Sequence, residues 1–584
     1  MRTFRKLLLS AVTLVLASGL YAEILNPGSL VHLTTRSWFT LDPAGANDSV
    51  SFIIVGNVYE PLIASKSVEA PGEFIPFLAS EVPSRSNGLL SEDGTTYTFP
   101  IRKGVRFHDG SPLTPEDVRY SLLRFMLLDV EGGSSGLLLE PILGVYSTRG
   151  PDGKINVLFR DAAEAVKVKD GKVVVRLKRP SGTFLKILAS LPVVVSKAWA
   201  VRHGDWDGKV GSWKSVNGRP LNRSPFHRKM NGTGPFRFGR SAPDGKQIML
   251  LRHDAYWRKP AALESVFLRV VPSRALRLWM LENGDADTSY FENRDYAEVK
   301  TLSGVRILED LPLSSLGEVL FFTFDVTPGS GRIGSGKLDG EGVPPDFFKD
   351  RYVREGFAHS LDYEAYLRHG LGLRGKRAAG PIPEAFLPGM GEARYEHDLE
   401  KAAQAFRAAY GGALWEKGFK LTLGYSRSNA NRVVLAEFLK AGLAKVNPKF
   451  QLDIEAASSR KLYAAAEERQ FPLFVGGYYS DYPDAQSYAF GMLHSSGYYP
   501  QAQGYSNPEI DKLIGRAATI HDRKERRRIY REILDLAADD IPQICTYYPA
   551  RFTAGRKWVR GLDHKRNVNN LGLNNFPYFY ALSK

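Results

Sequence analysis

Apolar positions recur at two different spacings along this chain, and the change of spacing divides it. Val118, Leu122, Phe125 and Met126 fall at helical intervals and predict a helix that turns one face to a core. Its start is explicit. Thr114 is a good N-cap, Pro115 suits the first helical position, and Asp117 can return a bond to the cap backbone. Just before it, Asp93-Gly94 signals a turn and Thr95 to Ile101 alternates as a strand does. Residues 145–180 read as β-rich and end in a strand over Val173–Leu177. Further strands are predicted around Ile248–Leu251 and Val266–Val271, then a helix over Arg274–Met280 stopped at Asn283-Gly284. From about residue 300 strands and helices alternate. Strands are predicted at Val319–Val326, Lys420–Tyr425 and Phe471–Val475. Helices are predicted over Val353–Leu367, from Asp398 through Phe406, over Val433–Leu443, and after the caps Asn507-Pro508 and Asp522. The fold class that follows is α+β or mixed α/β, with at least two lobes.

Composition alters this picture in three places. Arg2, Arg5 and Lys6 precede an apolar run from Leu7 to Leu20, and Ala22 offers a small residue for cleavage, with Ala17 and Gly19 as an upstream alternative, so residues 1–22 read as a secretory signal peptide. No later segment has about 18 uninterrupted apolar residues, the minimum for a membrane span. The single cysteine, Cys545, forbids an intramolecular disulfide, and its distance from the cleavage site argues against a lipid anchor. Following Ile541-Pro542-Gln543-Ile544, it reads as a buried, inert thiol. The formal charge of +15 falls to +12 once the three leader charges are removed. That charge is spread, apart from Arg526-Arg527-Arg528, which reads as a solvated helix face. With an export signal and no basic tract interleaved with aromatics, nucleic acid is not an expected partner.

Candidate chemistry concentrates after the strand at Phe471. Gly476-Gly477 ends that strand, and Tyr478, Tyr479, Ser480, Asp481, Tyr482, Pro483 and Asp484 follow. A carboxylate set among aromatic faces suits a cation such as a peptide's ammonium end. The same residues are also good turn chemistry. Two enzyme-like motifs fail on context. Gly132 to Gly136 fits Gly-x-Ser-x-Gly but follows a helix, whereas a nucleophile elbow follows a strand. Gly331 to Lys337 resembles a phosphate loop, but Leu338 stands where a Ser or Thr is required. The eleven histidines contain no HExxH pair, so neither a metal site nor a cofactor is expected.

Five stretches, in order, resemble the family 5 extracellular solute-binding proteins, the dipeptide and oligopeptide receptors of ABC importers. They are Val58 to Ile63, Arg106 to Ser121, Asn231 to Phe236, Arg354 to Asp362, and Gly504 to Ile514. The resemblance implies a periplasmic binding protein type II-like fold, with two lobes about a cleft and an extra third domain. Domain I is expected at 23–50, 191–275 and 541–584, domain II at 51–190 and domain III at 276–540. The protein is expected to be a monomer in the periplasm, not an enzyme, and to pass peptides to permease subunits in the inner membrane. In peptide-binding members an aspartate in the matching acidic loop takes the ligand's ammonium group, which assigns that role to Asp481. Tyr478, Tyr479 and Tyr482 are expected to line side-chain pockets, beside Asp484. Some members place a carboxylate-binding arginine a few residues before the loop. Phe471 to Val475 has none, which leaves Arg427 as the substitute and favours a longer or differently terminated ligand. Related receptors take nickel chelates, haem, oligosaccharides or opines, and an exported hydrolase is the rival from another class.

Overall fold

The computed structural model describes residues 26–66, 72–130, 133–150, 152–309, 311–370, 372, 374–562 and 578–584, so the expected leader lies outside the described residues. Two large sheets organise the rest. One has seven strands, in the order Val305–Leu308, Thr553–Arg556, Thr288–Ser289, Ser29–Thr34, Ser265–Val270, Gln247–Arg252 and Phe236–Ser241. Its centre is parallel, where Ser29–Thr34 lies between Thr288–Ser289 and Ser265–Val270. The second has five strands, in the order Phe450–Ala457, Phe419–Ser426, Leu473–Gly476, Val319–Phe322 and Gln543–Cys545. A separate three-stranded antiparallel sheet is built from Thr96–Pro100, Lys172–Arg176 and Val166–Lys169.

Alternation along the strands explains the layering of the second lobe. Leu320 and Phe322 enter one apolar cluster, and Val319 and Phe321 enter the cluster on the opposite face. Leu473 and Val475 likewise oppose Phe474. Both faces are therefore covered, as continuous apolar strands require. Residues of the three-stranded sheet, among them Phe99, Val173 and Val175, share one continuous core with the seven-stranded sheet. The extra segment is also tied there by ions. Arg124 is 2 % exposed and pairs with Asp42 at 2.7 Å and Asp205 at 2.6 Å. Burial alone would raise the Asp42 carboxyl, but Arg124 and Ser224 bring it down to about 2.

Local signals govern most element starts. Thr114 and Asp117 form a reciprocal capping box on the helix Pro115–Leu128. Asp398, Asn507 and Asp522 cap the helices Leu399–Ala408, Pro508–Thr519 and Arg523–Asp540. Three expectations change. The helix expected over Val353–Leu367 ends at Ser360, because Asp362 accepts the Ala365 N–H at 2.9 Å and starts a new turn. The strand from Val319 stops at Phe322. The β-rich stretch 145–180 contains a helix, Phe159–Ala165.

The sheets also redraw the lobes. Residues 276–308 were expected in domain III, yet Thr288–Ser289 and Val305–Leu308 pair within the seven-stranded sheet. Gln543–Cys545 was expected in domain I and instead pairs with Val319–Phe321 of the five-stranded sheet. The chain thus passes between the large sheets after Leu308 and returns between Pro549 and Thr553.

Candidate functional site

The acidic loop leaves the C-terminal end of Leu473–Gly476 and enters the helix Ala485–Leu493. That helix pins it. Ser487 Oγ accepts the Asp481 backbone N–H at 3.0 Å. The Tyr478 hydroxyl lies 3.2 Å from both Asp481 Oδ2 and the Ser487 carbonyl, between which it shares its single proton. Burial and the Asp481 charge hold the Tyr478 phenol well above its usual range, so it stays a donor. The Asp481 side chain is open to solvent, yet protein crowds it closely enough that burial pushes its carboxyl up to about 6; the Tyr478 bond offsets part of this. A carboxylate both reachable and poorly hydrated is poised to gain from a cationic partner.

The neighbouring predicted residues divide. Tyr479 is 51 % exposed, and the Arg551 guanidinium lies over its ring at 5.0 Å. Tyr290, of the other lobe and 52 % exposed, lies within electrostatic reach of both. Tyr482 is not available to a ligand, because it is buried in the core cluster of the first lobe. Asp484 is not available either. Its carboxylate is 3 % exposed and pairs with Lys186 and with both terminal nitrogens of Arg526, at 2.5 and 3.0 Å. Burial alone would raise it, but those two cations hold it well below the carboxylate range. It also caps the helix Ala485–Leu493 through the Gln486 N–H. Arg526 is accordingly buried, not part of a solvated face. Arg427 leans away from the loop. Its backbone N–H and its Nη2 donate to Ala457 and Ala456, while Phe419–Ser426 lies between that strand and Leu473–Gly476.

Contacts beside the loop join the two lobes. Lys186 reaches Asp484 from the extra segment. The Gly182 N–H donates to the Ala518 carbonyl at 2.9 Å, and Tyr146 stacks on Phe490 at 4.6 Å. The loop therefore sits where the lobes meet. Sequence reading missed Arg551, Tyr290 and Lys186. All three are distant in sequence from the loop, and no local spacing marks them.

Known proteins share this architecture. The model for bacterial extracellular solute-binding proteins, family 5 Middle, matches residues 73–500. The chain belongs to that family. This family 5 protein is 27% identical over 484 residues to Heme-binding protein A of Haemophilus influenzae, covering 81% of this chain and 79% of the relative. It is 25% identical over 561 residues to the oligopeptide-binding protein AppA of Bacillus subtilis, covering 90% and 92%. Among solved structures, the periplasmic binding protein DppA of Helicobacter pylori in complex with the peptide STSA superposes with a TM-score of 0.72, at 20% identity and 95% and 98% coverage. The solute-binding protein shares their mixed α/β, two-lobed fold.

Proposed function

We propose that this family 5 protein is the periplasmic substrate-binding component of an ABC importer, capturing peptides between its lobes and delivering them to a membrane permease. The single observation that carries this reading is Asp481, a carboxylate open to solvent but crowded by protein, held by Tyr478 at the meeting of the lobes. It receives the ammonium end of the ligand, and the exposed face of Tyr479 lines the space beside it. The AppA relative is an oligopeptide-binding protein and the DppA structure holds a peptide, which supports the same ligand class. Ligand entry and burial follow from closure of two lobes joined by the segments 309–318 and 550–552. A peptide held through its main chain and its ammonium end leaves side chains loosely read. No helix among the described residues is long and apolar enough to cross a membrane, which fits an exported protein processed after residue 22.

The haem-binding relative names the competing ligand, and a pair of titrations separates the two. The mature protein is titrated calorimetrically with an equimolar mixture of short peptides and, separately, with haemin monitored by absorbance. Saturable heat with peptides and no haemin spectrum supports the proposal. A stoichiometric haemin complex with no peptide heat overturns it.

A further inference from the structure

Two lobes stay closed through whatever bridges them, ligand or protein. Here the protein's own bridges gather on one side. The extra segment shares a continuous core with the first lobe, so the two move together. Facing it on the second lobe are the acidic loop and the helices beyond. Tyr482, carried by that loop, is buried in the core of the first lobe. Lys186 of the extra segment pairs with Asp484. The Gly182 N–H donates to the Ala518 carbonyl at 2.9 Å, and Tyr146 stacks on Phe490 at 4.6 Å. Gly182 carries the sharpest sign of fit. Its backbone is outside the left-handed region, so its own segment would accept alanine. A Cβ there would stand 2.5 Å from the Ile520 carbonyl oxygen, and its three nearest neighbours would all be backbone atoms of the second lobe. The glycine serves the approach of the other lobe, not a local turn.

Other contacts between the lobes lie elsewhere. Asn293 donates to the Arg374 carbonyl at 3.1 Å, and the Arg374 guanidinium lies 3.5 Å over the Tyr296 ring. Tyr296 also donates to Glu309, and Arg374 reaches Phe552, so this group sits on the two crossing segments, where a hinge rotation moves atoms least. Lys186, Gly182, Tyr146 and Tyr482 are on neither crossing segment, and their contacts must part when the lobes separate. All of these contacts are protein on protein and need no ligand. We propose that the extra segment is a clasp, which grips the acidic loop and the helix Pro508–Thr519 and holds the lobes together in the empty protein. The loop then has two faces. Asp481 is open to solvent on one, and Tyr482 with Asp484 is held by the clasp on the other. Solute enters through transient release of the clasp. The inference stands whatever solute the cleft takes.

The test needs no ligand. Mature wild type, K186M and G182A are shown empty by native mass spectrometry, then compared by small-angle scattering and hydrogen exchange. K186M removes the cation yet leaves Asp484 its pair with Arg526, and G182A adds one methyl group against Ile520. The empty wild type should scatter as the closed form, with the Gly182 amide protected. Both variants should show a larger radius of gyration and exchange at Gly182 faster by roughly tenfold or more, with exchange in the strand Lys172–Arg176 unchanged. An empty wild type that scatters as an open form overturns the proposal, and so do variants that keep wild-type scattering and protection. Faster exchange in Lys172–Arg176 as well also overturns it, because it marks unfolding of the extra segment in place of lobe release.

Discussion

Replacing Asp481 by asparagine removes a charge while keeping the size of the side chain and an acceptor for the Tyr478 hydroxyl, 3.2 Å away. Truncating one partner of a hydrogen-bonded charge pair costs roughly 2–5 kcal/mol of binding. The carboxylate here is open to solvent, which places D481N near the low end, about 2 kcal/mol or about thirtyfold in Kd. The pH profile is more specific than the loss itself. The empty protein's Asp481 carboxyl ionises at about 6. An ammonium ligand favours the ionised form, so binding and proton release are coupled. Wild-type affinity should be flat above pH 6 and fall by about tenfold per pH unit below it. D481N has no proton to release and should show a flat profile from pH 5 to 8. The sign for stability is opposite. A carboxyl raised above its unfolded value destabilises the fold when ionised, so the empty protein loses stability as pH rises through 4 to 6, and D481N should melt higher at pH 7. Isothermal titration at four pH values checks binding, and a thermal melt checks stability. An affinity within twofold of wild type at pH 7, or a pH slope that persists in D481N, refutes the assignment.

Two structural predictions contrast with that one. D484N, three residues along the same loop, should leave Lys186 and Arg526 buried without their acid and lower stability by about 3–5 kcal/mol in urea unfolding. Arg124→Ala should cost a similar amount, about 3–5 kcal/mol, by leaving Asp42 buried without a cation, while Asp205 keeps Arg219. Because the Asp42 carboxyl is lowered to about 2, its stabilisation is complete above about pH 4 and is lost as pH falls towards 2. The acid limb of the wild-type unfolding curve should therefore be steeper than that of the Arg124 variant.

Helix starts were legible because their chemistry is local. Thr114-Pro115 with Asp117, and Asn507-Pro508, carry their own instructions. The break at Leu361 was hidden because apolar spacing continues through Val353–Leu367 while Asp362 quietly recaps the chain. Lobe membership was hidden for a different reason. Thr288–Ser289 is only two residues long, and its place beside Ser29–Thr34 is set by tertiary pairing across more than two hundred residues. The site shows the same division. Tyr478, Asp481 and Ser487 are close in sequence and close in space. Asp484 looked equivalent to Asp481 in sequence, and only the distant Lys186 and Arg526 set it apart. Arg551 follows a run of tyrosines and a proline, and no local spacing marks its contact with Tyr479.

Native mass spectrometry of the mature protein, exported and purified without denaturation, tests peptide capture most directly. A ladder of bound masses that fragments into peptide sequences is the predicted result. A single bound mass that yields no amino-acid fragments contradicts it.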